Sequence, residues 1–422
     1  MVPFLVIFAG QAASLFGSEL VQFVLIWWLT RESGGSATTL AIASLVGLLP
    51  PVFLGPFAGA LVDRWNRRVV MMVADGAIAL ATLALAAVLA LDVVQVWHVY
   101  ALMFVRALGS AFHWPAMQAS TTLMVSEQHL SRVAGVNQAL RGIASIAMPP
   151  LGALLLASVP LSVVLAIDLG TALLALVPLA LVRVPQPVRA VQEDGRLSVW
   201  SDLREGVRFA WSWRGLAILI ALVALLHFFA APAFSLVPVV VTKTFDGGAL
   251  ELAWIQSSSG AGLLAGGLLL GAWGGFKRRI VTVLLSISLM GGCMALVGVL
   301  PGTAFWVAVG AMFCTGALGS VAVGSFLAIQ QALVPPEIQG RVLTLARSGM
   351  DAMSPLGMLV AGPVADAAGV QGWYLFTGGV IVAMAAGGFF VPVLMGLEEG
   401  DRGRPGGVNG TDFVDNMEMK DG

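Results

Sequence analysis

Charge is what this chain has least of. Only 11% of its 422 residues are Asp, Glu, Lys or Arg, against 58% apolar residues. The mean hydropathy is +0.92. A soluble domain of this length needs far more polar surface to face water, so that class is excluded. Cysteine is scarce as well. Cys293 and Cys314 both sit inside apolar runs with no metal-ligating neighbour, which reads as two small buried hydrophobes. The four histidines are scattered, and neither an H-x-x-x-H pair, a nucleophile-triad spacing nor a Walker A loop occurs. The expectation is no enzyme, no metal, no cofactor, and no energy from ATP bound by this chain. A net charge of −1 gives no global field toward nucleic acid. The alternating strands of a membrane β-barrel are missing. So are a basic leader and a clean small-residue cleavage site behind Met1, and the first helix is expected to act as its own insertion signal.

What is present is a succession of long apolar runs. A hydrocarbon core about 30 Å thick takes about 20 helical residues to cross. Reading the runs against turn and charge punctuation gives twelve spans, near 4–30, 38–62, 70–91, 97–124, 132–157, 161–183, 215–242, 250–273, 280–300, 303–333, 341–364 and 371–396. The fold class is therefore an all-α membrane protein of twelve transmembrane helices in two six-helix bundles. Residues 1–183 form the first bundle, 184–214 a cytoplasmic linker, 215–396 the second bundle, and 397–422 a disordered tail. Within the linker Leu197, Trp200, Leu203, Val207 and Trp211 recur at helical spacing, as in an amphipathic helix lying on the inner leaflet.

Two bundles are supported by an internal repeat. Val125, Arg132 and Val133 recur as Val334, Arg341 and Val342 at an offset of 209. Pro150 and Gly152 recur as Pro355 and Gly357 at 205, and Arg67 and Arg68 as Arg278 and Arg279 at 211. Matches half a chain apart and in the same order point to duplicated halves around a central cavity. Orientation follows from the basic residues. With the N-terminus inside, fourteen lysines and arginines fall on inner connections, against only Arg31 and Lys243 on outer ones. Both termini are thus expected in the cytoplasm of a bacterial plasma membrane.

The most informative segment is G-A-L-V-D-R-W-N-R-R at 59–68, a short charged turn between two spans. Glycine permits close helix approach, an aspartate sits at the membrane edge, and arginines hold the turn inside. The pattern resembles motif A of the major facilitator superfamily, in its loop between helices 2 and 3. F-A-G-Q at 8–11, W-L-T at 28–30, V-D-R at 62–64, A-F-H at 111–113, A-I-D at 166–168, K-R-R-I at 277–280 and G-R-V at 340–342 extend the likeness along the chain. They are similar to the macrolide-efflux group of that superfamily. The resemblance implies a secondary transporter that exports a hydrophobic or amphipathic small molecule in exchange for protons. Its partners would be that molecule, protons and membrane lipids, and the protein would work as a monomer. Siderophore and lysolipid transporters of the same fold are the near alternative. A membrane sensor or assembly partner without turnover is the alternative from another class.

The resemblance also implies site roles. Gly59, Asp63, Arg64, Arg67, Arg68 and Arg341 would form the cytoplasmic gate. Arg106 opens an R-A-L-G that resembles motif B, associated with proton coupling. Pro149, Pro150 and Gly152 resemble a degenerate motif C and should bend helix 5. A charge near the bilayer centre costs about 2.5–3.5 kcal/mol on insertion scales, so each one calls for a partner, water or a proton. Glu19 is the first candidate for the exchangeable proton, with Arg106 tuning it, and Asp168 and Asp351 are the other carboxylates considered. Arg347 and Asp351, spaced i,i+4, can also satisfy one another, and Asp75 is placed with the charge cluster of the 2–3 loop. Gln22, Trp27, His113, Trp114, His227, Phe228 and Gln330 are the candidate cavity contacts.

Overall fold

A computed structural model describes residues 2–186, 213–334 and 336–398, and among these it is helical with no strand. The amphipathic segment read at 197–211 and the tail from 399 onward lie outside the described residues. The first half comprises α1 (Val2–Glu32), α2 (Ala37–Arg64), α3 (Arg67–Ala90), α4 (Val96–Met124), α5 (Glu127–Ser158) and α6 (Leu161–Leu181). The second comprises α7 (Arg214–Ser235), a short α8 (Val237–Thr244), α9 (Ala249–Trp273), α10 (Arg279–Val299), α11 (Phe305–Leu333), α12 (Pro336–Ala368), α13 (Val370–Phe389) and a single turn, α14 (Pro392–Met395).

Among the described residues nine of the long helices are long and apolar enough to cross a membrane; α4, α9 and α12 are not among them. In each of the three, polar residues interrupt the apolar run. Arg106 and His113 dilute α4, three consecutive serines at 257–259 dilute α9, and Arg347 and Asp351 dilute α12. Two runs read as continuous are broken. The span expected over 215–242 divides at Leu236, because Pro238 cannot donate to a preceding turn and restarts the helix as α8. The last span ends at Phe389, with Pro392 opening the separate turn.

The turn that joins α2 to α3 is set by Asn66, whose side chain accepts from the backbone N–H groups of Arg68 and Val69 and so caps α3. At the far end of α2, Ser36 Oγ accepts from Thr39 N–H. Small residues then let the helices touch backbone to backbone, the usual basis of packing in lipid. A Cβ on Gly262 or Gly266 of α9 would lie 2.0 or 2.1 Å from the Phe313 or Ala317 carbonyl oxygen of α11. No side chain fits there.

Packing repeats between the halves as the sequence repeat requires. α1 packs on α5 and α6, and α7 packs on α12 and α13; α2 packs on α4, and α9 on α11; α3 packs on α6, and α10 on α13. Gly152 of α5 lies against Phe23 of α1, and its repeat partner Gly357 of α12 lies against the Phe228 carbonyl of α7. Arg67 and Arg279, the first residues of α3 and α10, donate to the carbonyls of Ala119 and Ala328 near the ends of α4 and α11. Helix α5 runs unbroken through Pro149 and Pro150. The halves meet along two seams, α2 on α12 and α5 on α9.

Candidate functional site

Between the seams lies a cavity of about 880 Å³. Its walls come from α1, α2, α3, α4, α5 and α6 on one side and from α7 and α12 on the other. The two sides differ in chemistry. Glu19, Asp75, Arg106, His113, Arg141 and Asp168 all line it from the first half. The second half contributes Ala231, Phe234, Ser235, Ser354 and Met358, none of them titratable.

The cavity is shut at the end of the bundle opposite the 2–3 loop. There Asp366, in the last turn of α12, accepts from the N–H groups of Ala37 at 2.7 Å and Thr38 at 2.9 Å and from Ser36 Oγ at 3.2 Å. These are the unsatisfied donors of the α2 N-terminus, where a carboxylate is favoured by both hydrogen bonding and the helix dipole. Burial pushes the Asp366 carboxyl up, but the hydrogen bonds from Thr38, Ala37 and Ser36 outweigh it and hold the group below its usual value. Gly362 lets α12 come close to Thr38 and Ala41, and Ser235 of α7 meets Ser44 of α2 just below. On the other seam Ser257 Oγ donates to the Ile146 carbonyl at 2.7 Å.

At the end that carries the 2–3 loop the halves stand apart. A Cβ on Gly55, Gly59 or Gly349 would meet nothing within 4 Å, and α5 from Ser131 to Ala139 is exposed or half-buried all round. Arg347 and Asp351, 3.7 Å apart, are 83% and 50% exposed on the face of α12 that further along carries Ser354 and Met358. They pair with each other and do not line the cavity. The close approach expected at Gly59 is absent because this end is open. The Asp63 and Arg341 side chains lie outside the described residues, and Arg341 belongs to the second turn of α12, which begins at Pro336 and not at Gly340. Arg68 donates to the carbonyls of Leu179 and Ala180, and Arg67 to that of Ala119, so both staple helix C-termini of their own half. Arg64 is exposed.

Inside the cavity Arg106 is held on two sides. Its Nη1 donates to Asp168 Oδ2 at 3.0 Å and its Nη2 to the Ser18 carbonyl at 3.0 Å, while Thr82 Oγ1 donates to the same Asp168 oxygen at 3.3 Å. Asp168 is buried, and its Oδ2 takes the hydrogen bonds from both Arg106 and Thr82. The neighbouring Glu19 feels the Arg106 and Arg141 charges but makes no hydrogen bond or close ion pair among the described residues. About two turns further toward the open end, Gln11 Nε2 donates to Asp75 Oδ2 at 2.9 Å, and His113 Nε2 lies 3.4 Å from Asp75 Oδ1. The Arg141 guanidinium stacks 4.2 Å above the Trp114 ring.

Of the residues proposed from sequence, Glu19, Gln22, Arg106, His113, Trp114 and Asp168 meet at this cavity. Trp27 does not, being buried in the helix core. His227 turns its Nδ1 to the Val223 carbonyl, Phe228 packs edge-on against Phe229, and Gln330 is buried in α11; none of the three lines the cavity. At mid-membrane an aromatic or amide on a packed face serves packing. Asp75 moves from the loop cluster to the cavity wall. Gln11 and Asp366 were missed, and Arg141 drew notice only as a charge inside a span. A polar stripe at 11, 14, 18, 19 and 22 of α1 marked Gln11 at helical spacing; nothing local marked Asp366, whose partners lie on another helix.

The sequence matches the Major Facilitator Superfamily profile over residues 7–357. It is 36% identical over 388 residues to macrolide efflux protein A of Streptococcus pyogenes, covering 91% of this chain and 94% of the relative. To the multidrug efflux pump Tap of Mycolicibacterium fortuitum it is 26% identical over 407 residues, 93% of this chain and 96% of the relative. In three dimensions it resembles the nucleoside transporter NupG (TM-score 0.66, 14% identity, covering 90% of this chain and 97% of that one). A bacterial homologue of the human lysosomal transporter Spinster is also similar (TM-score 0.64, 13% identity, 94% and 95%). The chain is a transporter of the major facilitator superfamily.

Proposed function

We propose that this protein is a proton-coupled exporter of a hydrophobic or amphipathic small molecule, of the macrolide or multidrug type, working by alternating access. The observation that carries this reading is the unpartnered Glu19 carboxylate in a cavity of about 880 Å³, beside an arginine already engaged by Asp168. A carboxylate left without a fixed partner can take a proton or a cationic group of the cargo, and one that does both in turn exchanges them. The names of the efflux relatives give the cargo class to test first. The halves, 1–183 and 215–396, would rock against each other on the two seams. With the basic 2–3 loop facing the cytoplasm, the conformation described is inward-open and the Asp366 contact is the outer latch. The setting is a bacterial plasma membrane with both termini inside.

The test is macrolide uptake into inside-out vesicles under an imposed pH gradient. Glu19→Gln should abolish gradient-driven accumulation while macrolide counterflow persists. If Glu19→Gln concentrates macrolide as the parent does, Glu19 carries no coupling proton and Asp168 becomes the candidate.

A further inference from the structure

The cavity wall holds a second set of titratable groups that the Glu19 site does not use. We infer that Asp75, His113 and Gln11 form a separate proton-exchange station near the open mouth, through which protons pass between the cytoplasmic water and Glu19. The inference rests on the proton-coupled reading above, and its argument is geometric. The Asp75 carboxylate is nine-tenths buried, yet it borders the cavity. Gln11 fixes one of its oxygens with a hydrogen bond of 2.9 Å. The other faces His113 Nε2 at 3.4 Å, within ion-pair range, and that nitrogen is shut off from solvent with no hydrogen-bond partner.

Such a contact is incomplete in one specific way. With a hydrogen on Nε2 the contact becomes a hydrogen bond to Oδ1, charge-assisted when the ring is protonated on both nitrogens. When that ring loses its Nε2 proton and keeps the one on Nδ1, two lone pairs face each other. Gln11 can only donate to Asp75 from its amide nitrogen, so it orients the carboxylate without competing for the proton. The pair therefore has two arrangements separated by one proton.

Its surroundings connect it to the Glu19 site. His113 follows Arg106 by seven residues on α4, about 10 Å along the helix, and Gln11 precedes Glu19 by eight on α1, about 12 Å. Ser14, Ser18 and Ser110 line the cavity between the two levels and offer hydroxyls that water can bridge. The charged groups around the pair are Glu19 from α1, Arg106 from α4, Arg141 from α5 and Asp168 from α6. Arg106 and Asp168 neutralise each other, and Arg67 is directed to the end of α4. Of the remaining charges Arg141 sits over Trp114. Glu19 and the Asp75–His113 pair are thus the two places along this wall where a proton has somewhere to go. Among the described residues the second half presents no titratable group to the cavity.

Infrared difference spectra of the purified protein across a pH step test the pair directly. To avoid altering His113, ring-labelled histidine is incorporated in a His98→Gln, His129→Gln, His227→Gln background, which leaves one labelled ring. The expected result is a labelled imidazole band in the difference spectrum, lost in Asp75→Asn together with a carboxylate band. A difference spectrum without any labelled-ring band overturns the inference, as does one that Asp75→Asn leaves unchanged. In vesicles carrying a pH indicator, with a macrolide as cargo, His113→Gln and Asp75→Asn should lose protons moved per macrolide. If the parent moves macrolide without protons, the proton-coupled reading itself falls. If the parent moves protons and both variants move as many, only the second station falls.

Discussion

The outer latch gives a quantitative prediction. Asp366 satisfies three donors at the start of α2 from across the interface between the halves. Losing an N-terminal cap costs about 1 kcal/mol, and losing a carboxylate from a helix N-terminus about 0.3–1 kcal/mol. Asp366 is exposed, so solvent screening takes the low end of both. Asp366→Ala then weakens the outer-closed state by about 1 kcal/mol, about fivefold in population, since 1.4 kcal/mol is tenfold. Asp366→Asn keeps an acceptor and loses only the charge, for about 0.5 kcal/mol or about twofold. Spin labels at Val93 and Thr303, exposed at the outer ends of α3 and α10, read the separation of the halves by double electron–electron resonance. Cys293 and Cys314 are first replaced. The long-distance population should rise in the order parent, Asn, Ala. The sign with pH follows from the lowered carboxyl: the latch is at full strength above the usual carboxylate range and is lost as pH falls through the Asp366 value. Acidification from about pH 7 to about pH 5 stays above that range, so the difference between the parent and Asp366→Ala distributions must stay the same across it. An Asp366→Ala distribution identical to the parent's refutes the latch.

Gly262→Ala places a methyl 2.0 Å from the Phe313 carbonyl oxygen and should cost about 1–3 kcal/mol, whereas Gly310→Ala meets open space and should be neutral or slightly stabilising; thermal unfolding in detergent separates them. Arg68→Ala frees the Leu179 and Ala180 carbonyls and should cost about 1–2 kcal/mol, read as lower unfolding temperature, with Arg68→Lys between the two. Single cysteines at Lys243 and Lys277, without the native pair, should react with an impermeant thiol reagent from opposite faces; labelling of both from outside would reverse the orientation. Asp63→Asn should shift the population further toward inward-open and slow transport at unchanged abundance, and full transport in that variant would remove Asp63 from the gate.

Most of the fold was legible because a bilayer imposes it: long runs of apolar residues must be helices, and turn and charge punctuation separates one from the next. The breaks at Leu236 and Phe389 escaped because hydropathy continues across them while the backbone does not; Pro238 and Pro392 were the available signal. At the site, the price of burying charge singled out Glu19, Arg106 and Asp168 correctly as members of one cavity. What could not be read was who pairs with whom. Arg106 and Asp168 are 62 residues apart, and Asp366 lies 329 residues from the Ala37 amide it accepts from. Such pairings depend on which helix faces meet. Periodicity gives the face of one helix, not its neighbour. Trp27, His227, Phe228 and Gln330 failed for a related reason: residue type alone does not distinguish a helix face turned to the cavity from one packed on its neighbour.

The duplicated scaffold carries packing in both halves, but among the described residues the titratable groups that line the cavity come from the first. The packing glycines Gly152 and Gly357 recur, and α3 and α10 each open on an arginine, Arg67 and Arg279, that donates to a carbonyl of the following helix. At the offset of 211 residues the positions corresponding to Glu19, Asp75, Arg106 and Asp168 are Ala230, Ser286, Ala317 and Gly379. On the proton-coupled reading, the repeat would supply the hinge and the first half the groups that take up the proton. A proton bound there can move the second half only by changing how tightly the two hold each other, since a ligand shifts an equilibrium by no more than its differential affinity for the two states. The seam of α5 on α9 is the nearest place for that effect. Arg141, which feels the charge state of Glu19, lies one residue from Gly142, whose close neighbour across the seam is Leu264. A change of charge at Glu19 thus reaches the interface through the helix that lines both.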